Sequence, residues 1–386
     1  MKVAVVHDDL MRRGGAEQVV LSIMKAFPEA DLYTLCYQPE LTYPEFKKYR
    51  IKTSVFQFIA KTEKRMKWLF FPFGIISMKL LTVKGYDAVI ISNTFCGKYV
   101  RVDKKAKVFI YTYTPFRLAW NPTSYKEYNE SKGLKRILFN AVIKCLRVID
   151  KKEAQKGHFH LGMTSETAER IKQAYHVSKV IIVPPPVKCE NFYVNPFKEK
   201  KYYLLVSRLE FYKKVDLAIE AFNELGIPLI IVGNGSKKKE LQAMAKKNIE
   251  FRSGLSSSEL ADLYANCKAF VFPQHEDYGI TPLETNASGR PVIAFAGGGI
   301  LETMIPYTGT KNYTSVFFDQ QNVKSLVKAI KKFETLEVNS DFIRSHSLRF
   351  DEPVFIAKLL NTINSQFETK NNFLERERIE NSATVI

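Results

Sequence analysis

The chain has 386 residues, a length that suggests two domains, each able to bury a core of its own. With 46% hydrophobic and 25% charged residues, its composition excludes long intrinsic disorder as the main state. The five cysteines are dispersed and form no CxxC pair, which argues against a disulfide scaffold or a zinc ribbon and fits a reducing compartment. The first apolar run is too short for a signal peptide and no apolar run reaches about 18 residues, so we expect a cytoplasmic protein without a membrane span.

Positive charge is concentrated in the first half of the chain. The formal net charge is +18; residues 1–200 hold 35 basic and 18 acidic residues, whereas residues 201–386 hold 23 and 22. The segment 51–152 alone has 21 basic residues against 6 acidic ones. This asymmetry indicates a polyanionic partner, which can be a nucleic acid, a phosphorylated substrate or an anionic membrane surface. A generally lysine-rich composition would explain the net charge but not its confinement to one half.

The predicted elements of the first half alternate between strand and helix. A buried strand over 2–7 leads through a loop with Gly14 and Gly15 into a helix over 16–27. Further strands are predicted at 88–92, 108–112 and 179–183, and further helices at about 62–82, 132–155 and 165–175. This alternation predicts a parallel sheet with crossover helices, and Pro184–Pro186 then end the regular structure.

A second alternating set follows the loop at about 188–200. Strands are predicted at 203–207, 228–233, 249–252, 269–273 and 291–295, and helices at about 215–225, 236–247, 257–266, 282–289 and 322–334. We therefore expect an α/β protein of two doubly wound, Rossmann-like domains, 1–190 and 196–345, facing across a cleft, with a polar tail over 368–386. Ligands of such sheets bind beyond the carboxyl ends of the strands, so residues that follow strands are the candidates for a site.

The strongest motif follows the strand at 269–273. A loop with Gly279 leads into a helix for which Thr281 suits the N-cap and Pro282 the first helical position. The backbone N–H groups of Gly279, Ile280 and Thr281, together with the helix dipole, predict an anion site.

Four charged side chains extend this prediction. Glu284 can accept hydrogen bonds from sugar hydroxyls of a ligand bound there, and Glu276 can reach the other side of its phosphates. Arg208 and Lys213, after the strand at 203–207, can neutralise a pyrophosphate leaving group. Taken singly, the glutamates can equally be a favourable first-turn charge and a solvated loop acid, and the two cations a solvated basic loop.

In combination, these four residues and Gly298-Gly299 resemble the retaining glycosyltransferase family 4, of GT-B fold. The stretches 206–222 and 269–284 are most similar to the bacterial O-antigen mannosyltransferases that use GDP-mannose, and the resemblance covers nearly the whole chain. It implies a donor-binding second domain, an acceptor-binding first domain, and a C-terminal helix at about 351–367 that crosses back to the first domain.

The resemblance also implies a role for each charged residue. Arg208 and Lys213 would bind the donor diphosphate during catalysis, and Glu284 would hold the ribose. Glu276 would contact the transferred sugar near the reacting carbon.

The first half contributes weaker signals. The resemblance implies that Gly14 and Gly15 let the first loop approach the donor sugar and phosphate. Tyr113 stands where relatives have a histidine that bonds the donor sugar, and a tyrosine hydroxyl can donate such a bond. Arg117, four residues on, is a candidate for contact with the donor sugar or the acceptor.

We expect no cofactor and no protein-bound metal. The sequence contains no Asp-x-Asp motif and no histidine pair with ligand spacing; His158 and His160 would straddle a strand and are interpreted as structural. The basic residues and the helix N-terminus would do the work of a divalent ion.

Two basic segments with apolar residues, 61–81 and 132–152, favour a peripheral membrane protein. Each can equally be an ordinary core-facing helix, but lysines near an anionic leaflet contribute about 1 kcal/mol apiece to binding. We therefore expect residues 51–152 to meet an anionic surface at the inner face of the membrane.

The resemblance thus implies a retaining hexosyltransferase that moves mannose from GDP-mannose onto a lipid-linked glycan or polysaccharide precursor, such as that of lipopolysaccharide. A UDP-sugar donor is the alternative within the same fold. Alternatives of another class are a basic nucleic-acid-binding protein, disfavoured because no known module is present, and a non-catalytic sugar-nucleotide-binding protein. A nicotinamide enzyme is disfavoured because no GxGxxG follows the first strand.

Overall fold

The computed structural model describes residues 1–59, 62, 69–196 and 201–383, with side chains for all of these except Phe71, Lys126 and 368–383. The part of the 61–81 segment that lies outside the described residues includes Lys61, Lys64, Arg65, Lys67 and Trp68. Of the helix predicted over 62–82, the described part comprises a π-helical turn, Phe70–Gly74, and a short α-helix, Ile75–Leu80.

The described residues of the first domain form nine strands: β1 Val3–His7, β2 Asp31–Thr34, β3 Ile51–Thr53, β4 Thr82–Val83, β5 Ala88–Asn93, β6 Arg101–Val102, β7 Lys107–Thr112, β8 Phe159–Gly162 and β9 Val180–Ile182. Seven of them form a parallel sheet in the order β3-β2-β1-β5-β7-β8-β9, while β4 and β6 pair separately. β1 and β5 are buried along their whole length, as expected for central strands covered on both faces.

The helices of the first domain are α1 Gly15–Ala26, α2 Ile75–Leu80, α3 Arg117–Trp120, α4 Lys126–Asn129, α5 Gly133–Ala154 and α6 Ser165–Tyr175. Chain order reverses across the sheet between β1 and β5, which creates a crevice at their carboxyl ends. The loops that follow these two strands therefore face the cleft.

Asp8, the first residue after β1, organises this edge of the sheet. Its carboxylate accepts hydrogen bonds from the backbone N–H groups of Thr94, Phe95, Cys96 and Gly97, which follow β5. A buried carboxylate with several N–H donors is well stabilised, so the two loops are held as one unit.

The second domain repeats the design with strands β10 Tyr203–Val206, β11 Leu229–Val232, β12 Ile249–Arg252, β13 Phe270–Phe272, β14 Val292–Phe295 and β15 Ser315–Phe318. They form a parallel sheet in the order β12-β11-β10-β13-β14-β15. The helices are α7 Val215–Leu225, α8 Lys238–Met244, α9 Ser257–Asn266, α10 Ile280–Ala287, α11 Ile300–Thr303, α12 Val323–Phe333 and α13 Ser340–Ser347. Here the order reverses between β10 and β13, whose following loops carry the predicted charged residues.

The last helix, α14 Glu352–Ala383, returns to the first domain. Its Glu352 accepts a hydrogen bond from Ser22 Oγ at 2.6 Å and pairs with Lys25, both on α1. Phe355 packs edge-on against Tyr111 of β7 at 6.3 Å between ring centroids. The helix is longer than expected, because it continues past residue 368, where we predicted a polar tail.

The fold prediction of two doubly wound α/β domains is confirmed, and most predicted elements agree with the structure within a few residues. Strands β2, β3, β4, β6, β8 and β15 were not among the predicted strands; each has four residues or fewer. In the part of the chain that the structure describes, no helix combines the length and apolarity needed to cross a membrane.

Candidate active site

A cleft of about 940 Å³ lies between the two domains. All the residues proposed from the sequence line it: Gly14, Gly15, Tyr113, Arg117, Arg208, Lys213, Glu276, Gly279, Ile280, Thr281 and Glu284. The structure therefore brings together the motifs of both halves, and their individual roles remain predictions.

The N-terminus of α10 faces the cleft, but the predicted helix start was wrong. Gly279, with φ +94°, is the N-cap, so the helix begins at Ile280 and Thr281 lies in its first turn. Glu284 is the fifth residue of the helix, beyond its first turn. The helix starts early because glycine readily adopts this positive φ, and no side chain among the described residues caps it. The N–H groups at this end thus point toward the cleft, where an anion can accept from them.

Glu284 lies in the wall of the cleft, one turn beyond the helix start. Its Oε2 accepts a hydrogen bond from the hydroxyl of Tyr264 at 2.9 Å. Burial raises the pKa of Glu284, and the bond from Tyr264 opposes this shift. Tyr264 thus holds one carboxylate oxygen of Glu284 in place, and the carboxylate can accept hydrogen bonds from ligand hydroxyls.

Lys213 and Glu276 form an ion pair through Nζ and Oε1. Their side chains are only 11% and 22% exposed, so neither is a solvated loop residue. Burial lowers the pKa of Lys213 to about 7, with Arg208 and Arg117 acting in the same direction. The carboxylate of Asp277 acts in the opposite direction.

A glycine-rich turn after β14 supports the backbone of Glu276. The N–H of Gly299 donates to the carbonyl of Glu276 at 2.9 Å. Gly298 has φ +84°, and a Cβ there would lie 2.1 Å from the same carbonyl oxygen. Only glycine fits this contact, which explains the Gly298-Gly299 pair seen in the sequence.

Sequence reasoning missed the contacts that join the two domains beside the cleft. Asp277 of the second domain pairs with Arg170 and lies 3.4 Å from Arg117, both in the first domain. Glu302 of the second domain accepts from the N–H of Ser165, at the start of α6, at 2.9 Å from each of its oxygens. Asp277 follows Glu276 directly in the motif, but no local pattern identifies its partners.

Tyr113 is 8% exposed, and its hydroxyl already has partners. It lies 2.9 Å from Ser92 Oγ and 3.2 Å from the carbonyl oxygen of Ala16, to which it donates. In this structure Tyr113 therefore ties the start of α1 to the end of β5. The approach of the first loop is close, since a Cβ on Gly15 would lie 3.0 Å from Cδ1 of Ile280.

A second buried cluster, not singled out from the sequence, lies behind the first loop. The Nδ1 atom of His7 lies 3.0 Å from Ser92 Oγ, and its Nε2 atom lies 3.7 Å from Oε1 of Glu17. Burial lowers the pKa of His7, but Glu17, with Asp8 and Asp9, raises it overall above its ordinary value. The cluster fixes the base of the loop that carries Gly14 and Gly15.

Within the described residues, no group of three or more His, Cys, Asp or Glu side chains is placed to hold a metal ion. His160 is buried, and burial together with the charge of Lys98 lowers its pKa to about 4. His158 Nδ1 accepts from the N–H of Val108 at 3.0 Å. These surroundings agree with a structural role for both histidines, and a metal-free mechanism remains a prediction.

Residues 187–346 match the family of glycosyl transferases group 1. The α-1,3/1,6-mannosyltransferase ALG2 of Candida glabrata is 24% identical over 377 residues, which cover 82% of this chain and 80% of that protein. The O-antigen chain mannosyltransferase C of Escherichia coli is 26% identical over 163 residues, covering 40% and 43%.

Solved structures show the same architecture. The sucrose-phosphate synthase of Thermosynechococcus elongatus matches with a TM-score of 0.70 at 14% identity, covering 96% of this chain and all of that one. The lipopolysaccharide outer core galactosyltransferase WaaB matches with a TM-score of 0.66 at 17% identity, covering 95% and 100%. The family match, the mannosyltransferase relatives and the two-domain fold together identify the chain as a glycosyltransferase of the GT-B fold. The match to the glycosyl transferases group 1 covers its second domain.

Proposed function

We propose that this glycosyltransferase moves mannose from GDP-mannose, with retention of the anomeric configuration, onto a lipid-linked glycan at the inner face of a membrane. The observation that carries the proposal is the convergence of one helix N-terminus, two cations and two glutamates in a single cleft between the domains. The mannosyltransferases among the relatives support mannose as the sugar. A UDP-sugar remains the alternative donor.

The diphosphate would lie between the start of α10 and the pair Arg208 and Lys213. The helix fixes the N–H groups, and together with the two cations they stabilise the negative charge that grows as the sugar leaves. In this mechanism the bond from the anomeric carbon to the phosphate oxygen breaks while the acceptor hydroxyl attacks from the same face. The hydroxyl proton passes to the departing phosphate, and no metal is required.

Glu276 would change partner when the donor binds. In the structure its carboxylate contacts Lys213, which in the complex would turn toward the diphosphate. The carboxylate would then be free to accept from a hydroxyl of the transferred sugar. Glu284 does not take part in this exchange, because its proposed partner is the ribose.

The test is transfer of labelled mannose from GDP-mannose to a lipid extract of membranes. Wild-type protein should transfer mannose, and should do so in EDTA as well.

The Glu276→Ala variant should lose about 10²–10³-fold in turnover but bind GDP with nearly wild-type affinity, because its contact is with the sugar. Glu284→Ala should weaken GDP binding itself, measured by calorimetry. Exchanged effects of the two variants would show that the roles are reversed, and rescue by manganese after loss in EDTA would contradict the metal-free mechanism.

The affinity for GDP should depend on pH through Lys213. With a pKa of about 7 in the empty cleft, part of its population is neutral near pH 7. A bound diphosphate raises that pKa, so binding takes up a proton and affinity falls as pH rises from 7 to 9, by at most tenfold per pH unit. Calorimetry in buffers of different ionisation enthalpy measures the uptake. Lys213→Arg keeps its charge and should abolish the slope; an unchanged slope would assign it to another group.

The exposed face of α5 supports the membrane proposal. Leu134, Ile137, Leu138 and Val148 are 81%, 66%, 65% and 64% exposed and lie along one side of the helix, opposite the buried Leu146. The helix is therefore apolar on its outer face as well as on its core face. Exposed lysines beside this stripe, Lys135, Lys144 and Lys152, suit an anionic leaflet.

Replacing Leu134, Ile137 and Leu138 together by serine should release the protein from vesicles that contain acidic lipid. Each apolar side chain buried in the bilayer contributes about 1.5–3 kcal/mol to membrane binding. The triple variant would keep only the attraction of the lysines, so its binding should fall steeply with added salt. Co-sedimentation measures the bound fraction. Leu301→Ser, on an exposed site of the second domain, is the control, and a triple variant that sediments like wild type would exclude this face.

A further inference from the structure

The first-domain side of the cleft is aromatic, in contrast to the polar donor side. Phe70, Phe95 and Phe116 line it and contact one another; Phe70 and Phe116 are 9% and 7% exposed, so Phe95 offers most of the ring surface. Their ring centroids lie 5.0 Å apart for Phe70 and Phe95, 6.1 Å for Phe95 and Phe116, and 6.3 Å for Phe70 and Phe116. We call these three side chains the aromatic wall. Neither a nucleotide diphosphate nor a sugar requires such a surface.

The segment that carries Phe70 also presents apolar side chains outside the cleft. Phe70 begins the helical segment that ends at Leu80. Further along this segment, Phe73, Ile76 and Leu80 are 55%, 51% and 56% exposed. One short element therefore places an aromatic ring in the cleft and apolar side chains on the protein surface.

Arginines accompany the aromatic wall. Arg12, Arg13 and Arg117 line the same cleft. Arg13 Nε donates to the carbonyl of Thr42 at 3.1 Å, an interaction that leaves its positive charge available to an anion. A hydrocarbon chain that ends in a phosphate matches this combination of apolar rings and cations.

We propose that the aromatic wall is the subsite for the lipid part of the acceptor. The first carbons of a phosphorylated hydrocarbon chain would lie against Phe70, Phe95 and Phe116, with the phosphate toward the arginines and the glycan toward Glu276. The rest of the chain would leave the cleft along Phe73 and Ile76. The inference rests on the proposed function, since it assigns a place to the lipid of a lipid-linked acceptor.

Calorimetry on the full chain saturated with GDP tests the subsite, because GDP fills the donor's phosphate site. The probes are farnesyl phosphate, kept below its micelle concentration, isopentenyl phosphate and inorganic phosphate. Each methylene buried against the wall should tighten binding by about fourfold, so farnesyl phosphate should bind at least tenfold more tightly than isopentenyl phosphate. Inorganic phosphate should bind more weakly than either.

Phe95→Ala should reduce farnesyl phosphate affinity at least tenfold and leave GDP affinity unchanged, while Phe95→Leu should retain most of it. The control Leu301→Ala lies on the exposed surface of the second domain. Equal affinity of wild-type protein for the three probes would overturn the subsite whether or not any variant folds. If GDP binds and mannose is transferred but chain length has no effect, only the subsite is wrong. If GDP does not bind, the proposed function fails as well.

Discussion

A diphosphate must enter a cleft that is partly shielded from water, and this requires compensating charge. The second domain supplies that charge from two adjacent strands. The loop after β10 carries Arg208 and Lys213, and α10 begins shortly after β13. Because these strands are neighbours where the strand order reverses, the two loops emerge side by side. The contact between Lys213 and Glu276 joins them before any ligand binds.

The same contact links donor binding to chemistry in the proposed mechanism. A diphosphate competes with Glu276 for the ammonium of Lys213. When Lys213 pairs with the diphosphate, the carboxylate of Glu276 can accept a hydrogen bond from the sugar. Meanwhile the two domains must remain close. Asp277 contributes to this by pairing with Arg170 across the cleft edge. The neighbouring residues Glu276 and Asp277 thus serve the site and the domain contact respectively.

Much of the fold could be predicted from the sequence because the central strands are short, uninterrupted apolar runs between helical patterns. The cleft could be predicted because charged residues follow two such runs. The first residue of α10 could not be predicted from the sequence. Thr281 followed by Pro282 is typical of a helix start, whereas Gly279 caps the helix through its backbone conformation alone. The partners of Asp277 come from elements more than 100 residues away, which local patterns do not specify.

In the proposed function, the cleft binds a nucleoside diphosphate sugar. Thermal unfolding of the protein with GDP-mannose and with UDP- and ADP-sugars tests it most directly, since a ligand at 100 times its dissociation constant stabilises the folded state by about 2.7 kcal/mol. GDP-mannose should give the largest rise in melting temperature, and Arg208→Ala should abolish that rise. Failure of every nucleotide sugar to shift the transition, or an undiminished shift in Arg208→Ala, would contradict the claim.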